Sequence, residues 1–382
     1  MDQHWDHSSE IHAIRPCHSD DAGDLVAVGG LHTVEILSVT STECKCIASF
    51  HVGTRITAIA WSSATVSPRR SDNWRIQLAV ATEDYALHLL SKTSTQVENI
   101  FPFGGGLSGH HGLINDMTFV GGWSDDSSRY VATVSDDKML MVWDLSPPSE
   151  VRHTLGDDDS MSDGSPSPAP RAQPTAYVIP FAHPLTSISS HPQTSKEFLV
   201  SDCRGSVYLT DWRSDVIDSD DMDQELGGGA LRHPNLVELV EPFSMAGSCM
   251  NFPVPWSGST AWRADSVDII GGVFGNRFAI WDLSKLRGGK PLHSYAGNLE
   301  GGHRFRWCRT YPEHFAISSQ NPARGAVIQV YNLNFASAQP NPLVLSPRPQ
   351  FVRDFDFLSL PGIPRIAAAV GKTLHVFAIG EE

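Results

Sequence analysis

The sequence predicts an all-β protein whose sheets form a closed ring of seven blades, a β-propeller. Short segments rich in β-branched and aromatic residues recur along the 382 residues, and turn-forming residues bound them. These segments group into seven similar units at a spacing of about 40–45 residues, which is typical of propellers built from one four-stranded blade per unit. We therefore expect residues 1–382 to form a single domain.

The third unit, Ser108–Leu145, is the clearest of the seven. It opens with Gly109-His110 and closes with Trp143-Asp144, the two marks that define a WD40 repeat. Its three strand-like segments are Leu113–Phe119, Tyr130–Val134 and Met139–Leu145. A hairpin turn is predicted at Asp136-Asp137-Lys138, because tight turns favour Asp, Asn and Gly. The sequence thus predicts a seven-bladed WD40 propeller.

Four residues of this unit form a candidate structural tetrad. In WD40 repeats, a histidine, a hydroxyl residue, a turn aspartate and a strand tryptophan make one buried hydrogen-bonded chain. The matching positions here are His110, Thr133, Asp137 and Trp143. A buried indole N–H and a buried imidazole both need partners, and a carboxylate at the turn supplies the last acceptor.

The other units carry the pattern more faintly. The first is predicted from Glu10–His18, Asp24–Gly29 and Thr33–Val39. The second is predicted from Phe50–Gly53, Ile56–Ser62, Ile76–Thr82 and Tyr85–Leu90. The fourth is predicted from Ala176–Phe181, Leu185–His191, Phe198–Ser201 and Ser206–Asp211.

The last three units lie beyond residue 250. The fifth contains Val267–Val273 and closes with Trp281 and Asp282. The sixth opens at Gly302-His303 and closes with Tyr331, and the seventh is predicted from Phe351–Leu358, Arg365–Val370 and Thr373–Ile379. An open sheet would leave exposed edges. We therefore expect Gln3–His7 to pair with the blade that ends at Ile379.

Two acidic insertions, residues 146–174 and 215–234, interrupt the pattern. Both are rich in Asp and Ser with few large apolar groups, and such segments bury too little surface to become ordered. They are interpreted as disordered, solvated loops between strands. Serines next to acids and prolines also leave open phosphorylation or an acidic docking role.

Composition excludes several function classes. The net charge of −15 argues against direct binding of nucleic acid, and no apolar run is long enough for a membrane span. The six cysteines are scattered and are interpreted as reduced thiols of a cytosolic or nuclear protein. No phosphate-loop, zinc-protease or nucleophile-elbow motif occurs, so we expect no cofactor, no metal, no small-molecule substrate and no enzymatic activity.

Three further features bear on partners. Phe252, Trp256 and Trp262 are candidate partner-binding residues of a Pro-rich apolar loop, although they could instead cover a blade edge. Asp211-Trp212-Arg213 matches the loose box of WD40 substrate receptors in cullin–DDB-type ubiquitin ligases, which is the alternative function. A hydrolase remains a third and weaker alternative, resting only on the 17 histidines.

Several stretches, in the same order along the chain, resemble the nucleoporin thirty-seven family of small WD40 nucleoporins. The stretches are Phe50–Ser62, Gly109–Phe119, Val134–Asp137, Gly275–Asp282, Phe305–Trp307 and Glu313–Ala316. The two acidic insertions depart from the compact animal pattern, which indicates a divergent, fungal-type relative.

This resemblance implies a structural subunit of the Y-shaped complex that builds the outer rings of the nuclear pore. The expected partner is the large propeller–solenoid nucleoporin of the long arm, with an ELYS-type protein nearby in some lineages. The implied location is the nucleus, at the nuclear pore complex in the nuclear envelope. The implied role is support of nucleocytoplasmic transport of protein and mRNA.

Overall fold

A computed structural model describes residues 2–146, 173–213, 236–243, 258–286, 288–297, 301–319 and 321–380. Within these ranges, 28 strands form seven four-stranded antiparallel sheets. The innermost strands of successive sheets contact one another around a closed ring. The fold is the predicted all-β, seven-bladed propeller.

The first four blades follow the chain in order. Blade one contains β2 (Ala13–Pro16), β3 (Leu25–Gly29), β4 (Thr33–Val39) and β5 (Cys44–His51). Blade two contains β6 (Ile56–Trp61), β7 (Arg75–Thr82), β8 (Leu87–Thr93) and β9 (Asn99–Phe103). Blade three contains β10 (Ile114–Phe119), β11 (Tyr130–Ser135), β12 (Met139–Asp144) and β13 (Thr175–Pro180). Blade four contains β14 (Leu185–Ser190), β15 (Glu197–Asp202), β16 (Ser206–Asp211) and β17 (Leu236–Val240).

The remaining blades complete the ring. Blade five contains β18 (Gly258–Trp262), β19 (Ile269–Phe274), β20 (Arg277–Asp282) and β21 (His293–Ala296). Blade six contains β22 (Phe305–Trp307), β23 (His314–Ser318), β24 (Ala326–Asn332) and β25 (Asn341–Ser346). Blade seven contains β26 (Asp354–Phe357), β27 (Arg365–Val370), β28 (Thr373–Ala378) and β1 (Gln3–Asp6). The short helices are α1 (Asp126–Arg129) and the 3₁₀ turns Gly106–Ser108, Leu283–Lys285, Pro322–Arg324 and Leu333–Phe335.

The hydrophobic core lies between the blades. Seven clusters of buried side chains each join residues of two neighbouring blades, and together they include all seven blade boundaries. A middle strand is therefore covered on both faces, which explains why Leu25–Gly29 is an unbroken apolar run with every residue buried.

Glycine allows one close approach between blades. A Cβ atom on Gly271 in β19 would overlap the ring of Phe305 on the innermost strand of blade six. Phe305 is fully buried and packs edge-to-face against Trp307, at 5.2 Å between ring centres. Gly271 thus sits at a tight strand crossing, and its neighbourhood is an apolar core and not a phosphate-binding loop.

The predicted ring closure is confirmed. β1 pairs antiparallel with β28, in the register Gln3–Val376 to Asp6–Thr373. Two side-chain hydrogen bonds tie this strand to blade one: the Trp5 indole N–H donates to Glu35 at 2.9 Å, and the Gln3 amide donates to the Thr40 carbonyl at 3.1 Å. The closing strand therefore joins blade seven to blade one.

The predicted unit boundaries are shifted by one strand. The segment Ala176–Phe181 was assigned to the fourth unit, yet β13 pairs with β12 and forms the outer strand of blade three. Likewise Phe50 and His51 end the outer strand of blade one. Outer strands are half exposed and weakly apolar, as the pattern of β13 shows, so periodicity in the sequence hardly marks them. Most of the insertion predicted at 146–174, and all of 215–234, lies outside the described residues.

Removal of the closing strand tests how much the ring depends on it. Deleting residues 2–6 should leave the edge of β28 unpaired and expose the apolar contacts of Trp5, so we expect a Tm lowered by at least several degrees and association at high concentration. Calorimetry and light scattering measure both effects. His4→Ala, at an exposed position of the same strand, is the control and should change Tm by less than a few degrees.

Candidate functional site

The four tetrad residues are in hydrogen-bonding contact in blade three. His110 Nδ1 lies 2.8 Å from Asp137 Oδ2, and His110 Nε2 lies 2.8 Å from Thr133 Oγ1. The Trp143 indole N–H donates to Thr133 Oγ1 at 3.0 Å. Because a carboxylate only accepts, Nδ1 carries the imidazole proton, and Nε2 can accept from the Thr133 hydroxyl. The chain of bonds thus runs from the β11–β12 turn to the core.

Burial and hydrogen bonding have opposite effects on the pKa of the Asp137 carboxyl group. Burial favours the neutral acid, but the bond from His110 and the bond from the His111 amide, at 2.9 Å, lower the pKa of Asp137 to about 2. The Asp137 carboxylate also accepts from the Met139 amide at 3.0 Å, so it holds the turn closed. Each polar side-chain atom of the tetrad thus has at least one hydrogen-bond partner within the blade.

A second set of polar residues lines the ring axis on the innermost strands. Arg15 lies 2.9 Å from Asp116 and 3.8 Å from Asp356, so it links blades one, three and seven. Arg306 approaches Asp354 at 3.7 Å and Asp356 at 3.6 Å, linking blade six to blade seven. Burial tends to lower the pKa of Arg15, but the three carboxylates raise it. These ion pairs connect blades one, three, six and seven at the ring axis.

Each of the axial arginines Arg15, Arg304 and Arg306 lies within 3.7 Å of an axial carboxylate. Burial tends to raise the pKa of Asp356, but His18, Arg306 and Arg15 lower it to about 2. The stretch Arg304-Phe305-Arg306-Trp307 therefore forms an inner strand and its approach, with Arg306 only 6% exposed. It presents no basic surface on which a nucleic acid could stack.

The predicted blade-closing residues have individual roles. The Trp281 indole donates to the Gly289 carbonyl at 3.1 Å, so blade five does not repeat the tetrad of blade three. Asp282 caps a 3₁₀ turn by accepting from the Ser284 amide at 3.1 Å. The Tyr331 hydroxyl lies 3.1 Å from the Gly297 carbonyl, and burial raises the pKa of Tyr331.

Tyr331 also forms the floor of a groove of about 340 Å³ between blades five and six. Phe278 and Tyr295 line one side, and the segment that follows the 3₁₀ turn Leu333–Phe335 lines the other. The neighbouring Phe335 side chain is 69% exposed. The lining of this groove is mixed, with polar and apolar groups, and a partner could contact it.

Arg213, the arginine of the ubiquitin-ligase box, is bound within the protein. Its guanidinium lies 2.7 Å from Asp126 Oδ2 and stacks at 4.7 Å from the ring centre of Tyr130 and 4.6 Å from that of Trp212. The Asp126 bond raises the pKa of Arg213 against the effect of burial. A partner would have to break this pairing to use Arg213.

The predicted partner loop is only partly described. Phe252 and Trp256 lie outside the described residues. Trp262 lies on β18 with 7% of its surface exposed, and its indole donates to the Val267 carbonyl at 2.8 Å. The structure places Trp262 in the core between blades four and five, so it offers little surface to a partner.

The most exposed tryptophan of the described chain was missed by the sequence reasoning. Trp123, in the loop between β10 and β11, is 88% exposed. Its signal was available, because Trp123 stands between Gly122 and the acidic run Asp125-Asp126 in a segment predicted as a polar turn. A tryptophan in such a turn has no blade to pack into.

The described residues contain no group of three or more His, Cys, Asp or Glu side chains placed to hold a metal ion. No helix among them has the length and apolar character needed to cross a membrane.

Comparisons with known proteins point in one direction. No protein-family model matches the chain. It is 22% identical over 336 residues to nucleoporin Nup37 of Mus musculus, covering 85% of this chain and 82% of that protein. It is 22% identical over 348 residues to nucleoporin Nup37 of Homo sapiens, covering 88% and 84%. The chain is thus similar to Nup37 over most of both lengths.

A solved structure supports the fold. The crystal structure of Chaetomium thermophilum Raptor superposes with a TM-score of 0.63 at 12% identity, and the match covers 99% of this chain and 28% of that chain. At this identity the likeness concerns the propeller architecture alone.

Loss of the tetrad hydroxyl should destabilise the protein. Thr133→Val keeps the shape but leaves the Trp143 indole and His110 Nε2 buried without a partner, so we expect a loss of about 1–3 kcal/mol in the free energy of unfolding. Urea denaturation measures it. The control is Thr57→Val, because the Thr57 hydroxyl is buried without a hydrogen bond and its removal should cost nothing. Equal effects at both positions would contradict the role of the tetrad.

The tetrad should also affect how the free energy of unfolding changes at acid pH. Because the pKa of Asp137 is about 2 in the folded protein and higher in the unfolded chain, its bonds stabilise the fold above pH ~4 and this contribution is lost as pH falls towards 2. Asp137→Asn should therefore be less stable than wild type at pH 7, and the difference should shrink between pH 4 and pH 2. Urea titrations at several pH values measure it; a difference independent of pH would refute the assignment.

Proposed function

We propose that the protein is a non-enzymatic structural subunit of the nuclear pore outer-ring scaffold, the Y-shaped complex. In this role it docks on a large propeller–solenoid nucleoporin and supports nucleocytoplasmic transport, as a divergent, fungal-type relative of Nup37. One observation carries the proposal: the similarity to Nup37 extends over 85–88% of a chain that folds as one closed propeller.

The distribution of polar groups is consistent with a scaffold. The tetrad residues hydrogen-bond one another within blade three. Axial contacts join blades that are far apart in sequence, through the ion pair of Arg15 with Asp116 and the hydrogen bond from the Ile14 amide to Asp354. These bonds stiffen the ring. A rigid ring with two faces and a rim gives a partner a fixed surface without any catalytic parts.

The structure gives less support to the ubiquitin-ligase alternative. Its arginine, Arg213, is held by Asp126 and by two aromatic rings, so docking through it would first cost a charge-assisted hydrogen bond. The box is also only a short motif. We therefore favour the scaffold role.

Purification of the tagged protein from its native cells, followed by mass spectrometry, tests the proposal. We expect long-arm nucleoporins of the outer ring to be recovered, and a fluorescent fusion to mark the nuclear rim. Arg213→Ala is the matched variant and should recover the same proteins in the same amounts. Recovery of a cullin adaptor in place of nucleoporins, with its loss in Arg213→Ala, would establish the alternative.

A further inference from the structure

A rigid loop displays Trp123 at one end of blade three. Gly121 lies so close to the His191 carbonyl of blade four that a Cβ atom there would overlap it. On the other side, Ser127 lies 2.7 Å from the Ser63 hydroxyl of blade two. Asp126 accepts from Ser195 of blade four at 3.2 Å. The loop is therefore fixed between three blades, while the Trp123 side chain itself remains 88% exposed.

Further apolar surface lies at the same end of the blade. The register pairs Tyr130 with Asp144, and Asp144 with Thr175, so the start of β13 lies at the same end of the blade as the Trp123 loop, two strands further out. On β13, Tyr177 is 53% and Val178 is 51% exposed. Successive side chains of a strand point to opposite faces of the sheet, so only Tyr177 of the two faces the same side as Trp212. We call Trp123 and Tyr177, together with the exposed Asp125, the Trp123 surface.

The base of this surface is held by aromatic packing. Tyr177 lies 5.3 Å from Trp212 between ring centres, and Trp212 lies 5.1 Å from Tyr130. The contact crosses from blade three to blade four. Tyr177 therefore loses little freedom on binding a partner, which favours affinity.

The charged side chains near Trp123 indicate what kind of partner surface would bind there. The two arginines at this end are neutralised within the chain, Arg129 by Asp144 at 2.6 Å and Arg213 by Asp126 at 2.7 Å. Asp125 is exposed, and so is Lys196 in the neighbouring loop of blade four. The excess of negative charge at this end therefore depends on the acidic sequence of two neighbouring stretches.

Two stretches of the sequence that lie outside the described residues are acidic. Residues 147–172 leave and re-enter the structure between β12 and β13, and residues 214–235 do so between β16 and β17. The first carries five acids and two arginines, the second six acids and one arginine, so together they hold −8 of the net charge of −15. The described strand ends that flank these stretches, Asp144 and Thr175 in blade three and Thr210 and Leu236 in blade four, lie at the end that displays Trp123. An acidic sequence between them favours a basic partner at this end.

We propose that the Trp123 surface is the docking site for a protein surface in which lysines and arginines surround an apolar pocket that receives Trp123. This inference rests on the proposed function, and the partner surface belongs to the long-arm nucleoporin. An exposed tryptophan beside a second aromatic residue is the composition that dominates binding energy at protein interfaces. The negative field also opposes a nucleic acid as the occupant.

Binding of the purified full-length chain to the purified long-arm nucleoporin of the same organism tests the inference, with Kd measured by calorimetry. Trp123→Ala should raise Kd roughly 30-fold or more, as expected for a buried interface tryptophan. The matched control is Phe335→Ala, which truncates a 69% exposed aromatic residue beside the groove of blades five and six and should change Kd by less than about twofold. Unchanged Tm values show that both variants are folded.

The electrostatic contribution to binding is tested separately, through the dependence of Kd on salt and on the charge at Asp125. Raising NaCl from about 50 to 500 mM should weaken binding about tenfold, because screening removes the attraction between opposite charges. Asp125→Arg should raise Kd and reduce this salt dependence. A Kd that is independent of salt, or that falls in Asp125→Arg, overturns the basic partner.

The possible failures are distinguishable. If the wild-type chain does not bind the nucleoporin, the proposed function fails and this inference fails with it. If wild type binds and Trp123→Ala binds equally well, the proposed function stands and the Trp123 surface is rejected. A loss confined to Phe335→Ala would move the docking site to the groove between blades five and six.

Discussion

Each blade of this protein is a sheet with two apolar faces, and it is stable only when another blade covers each face. The seven interblade cores meet this requirement because the ring has no first or last blade. The pairing of β1 with β28 secures the last boundary, and the ion pair of Arg15 with Asp356 acts across it. The ion pair of Arg306 with Asp356 acts across the preceding boundary, between blades six and seven. Secondary structure, core and axial electrostatics all depend on this circular closure.

Local patterns carried most of what the sequence could predict. The turn at Asp137 and the strand that ends in Trp143 have strong preferences within about 35 residues of chain, so the fold and the tetrad positions followed from them. Outer strands such as β13 are half exposed and have little periodicity. The pairing of Arg306 with Asp356 depends on which blades become neighbours, and the exposure of Trp123 depends on the length of one loop. Neither is encoded in a local pattern.

Similar residues have different uses inside blade three and at the end that displays Trp123. Inside the blade, the Trp143 indole is buried and its N–H donates to Thr133. At the end of the blade, Trp212 and Arg213 of blade four stack on neighbouring rings beside the loop from which Trp123 extends into solvent. Aromatic and polar groups thus stabilise the interior of the blade and support an exposed surface at its end. A docking scaffold needs both properties in one unit.

Circular closure also determines when the first strand can pair during synthesis of the chain. The hydrogen bond between Asp6 and Thr373 joins residues 367 positions apart, so β1 emerges from the ribosome long before its partner strand exists. At typical synthesis rates the interval is roughly 20–70 s. The entropy of closing so long a loop grows only with the logarithm of its length, so the late pairing costs little more than a shorter one. During synthesis, β1 must therefore remain available while the blades between it and its partner form.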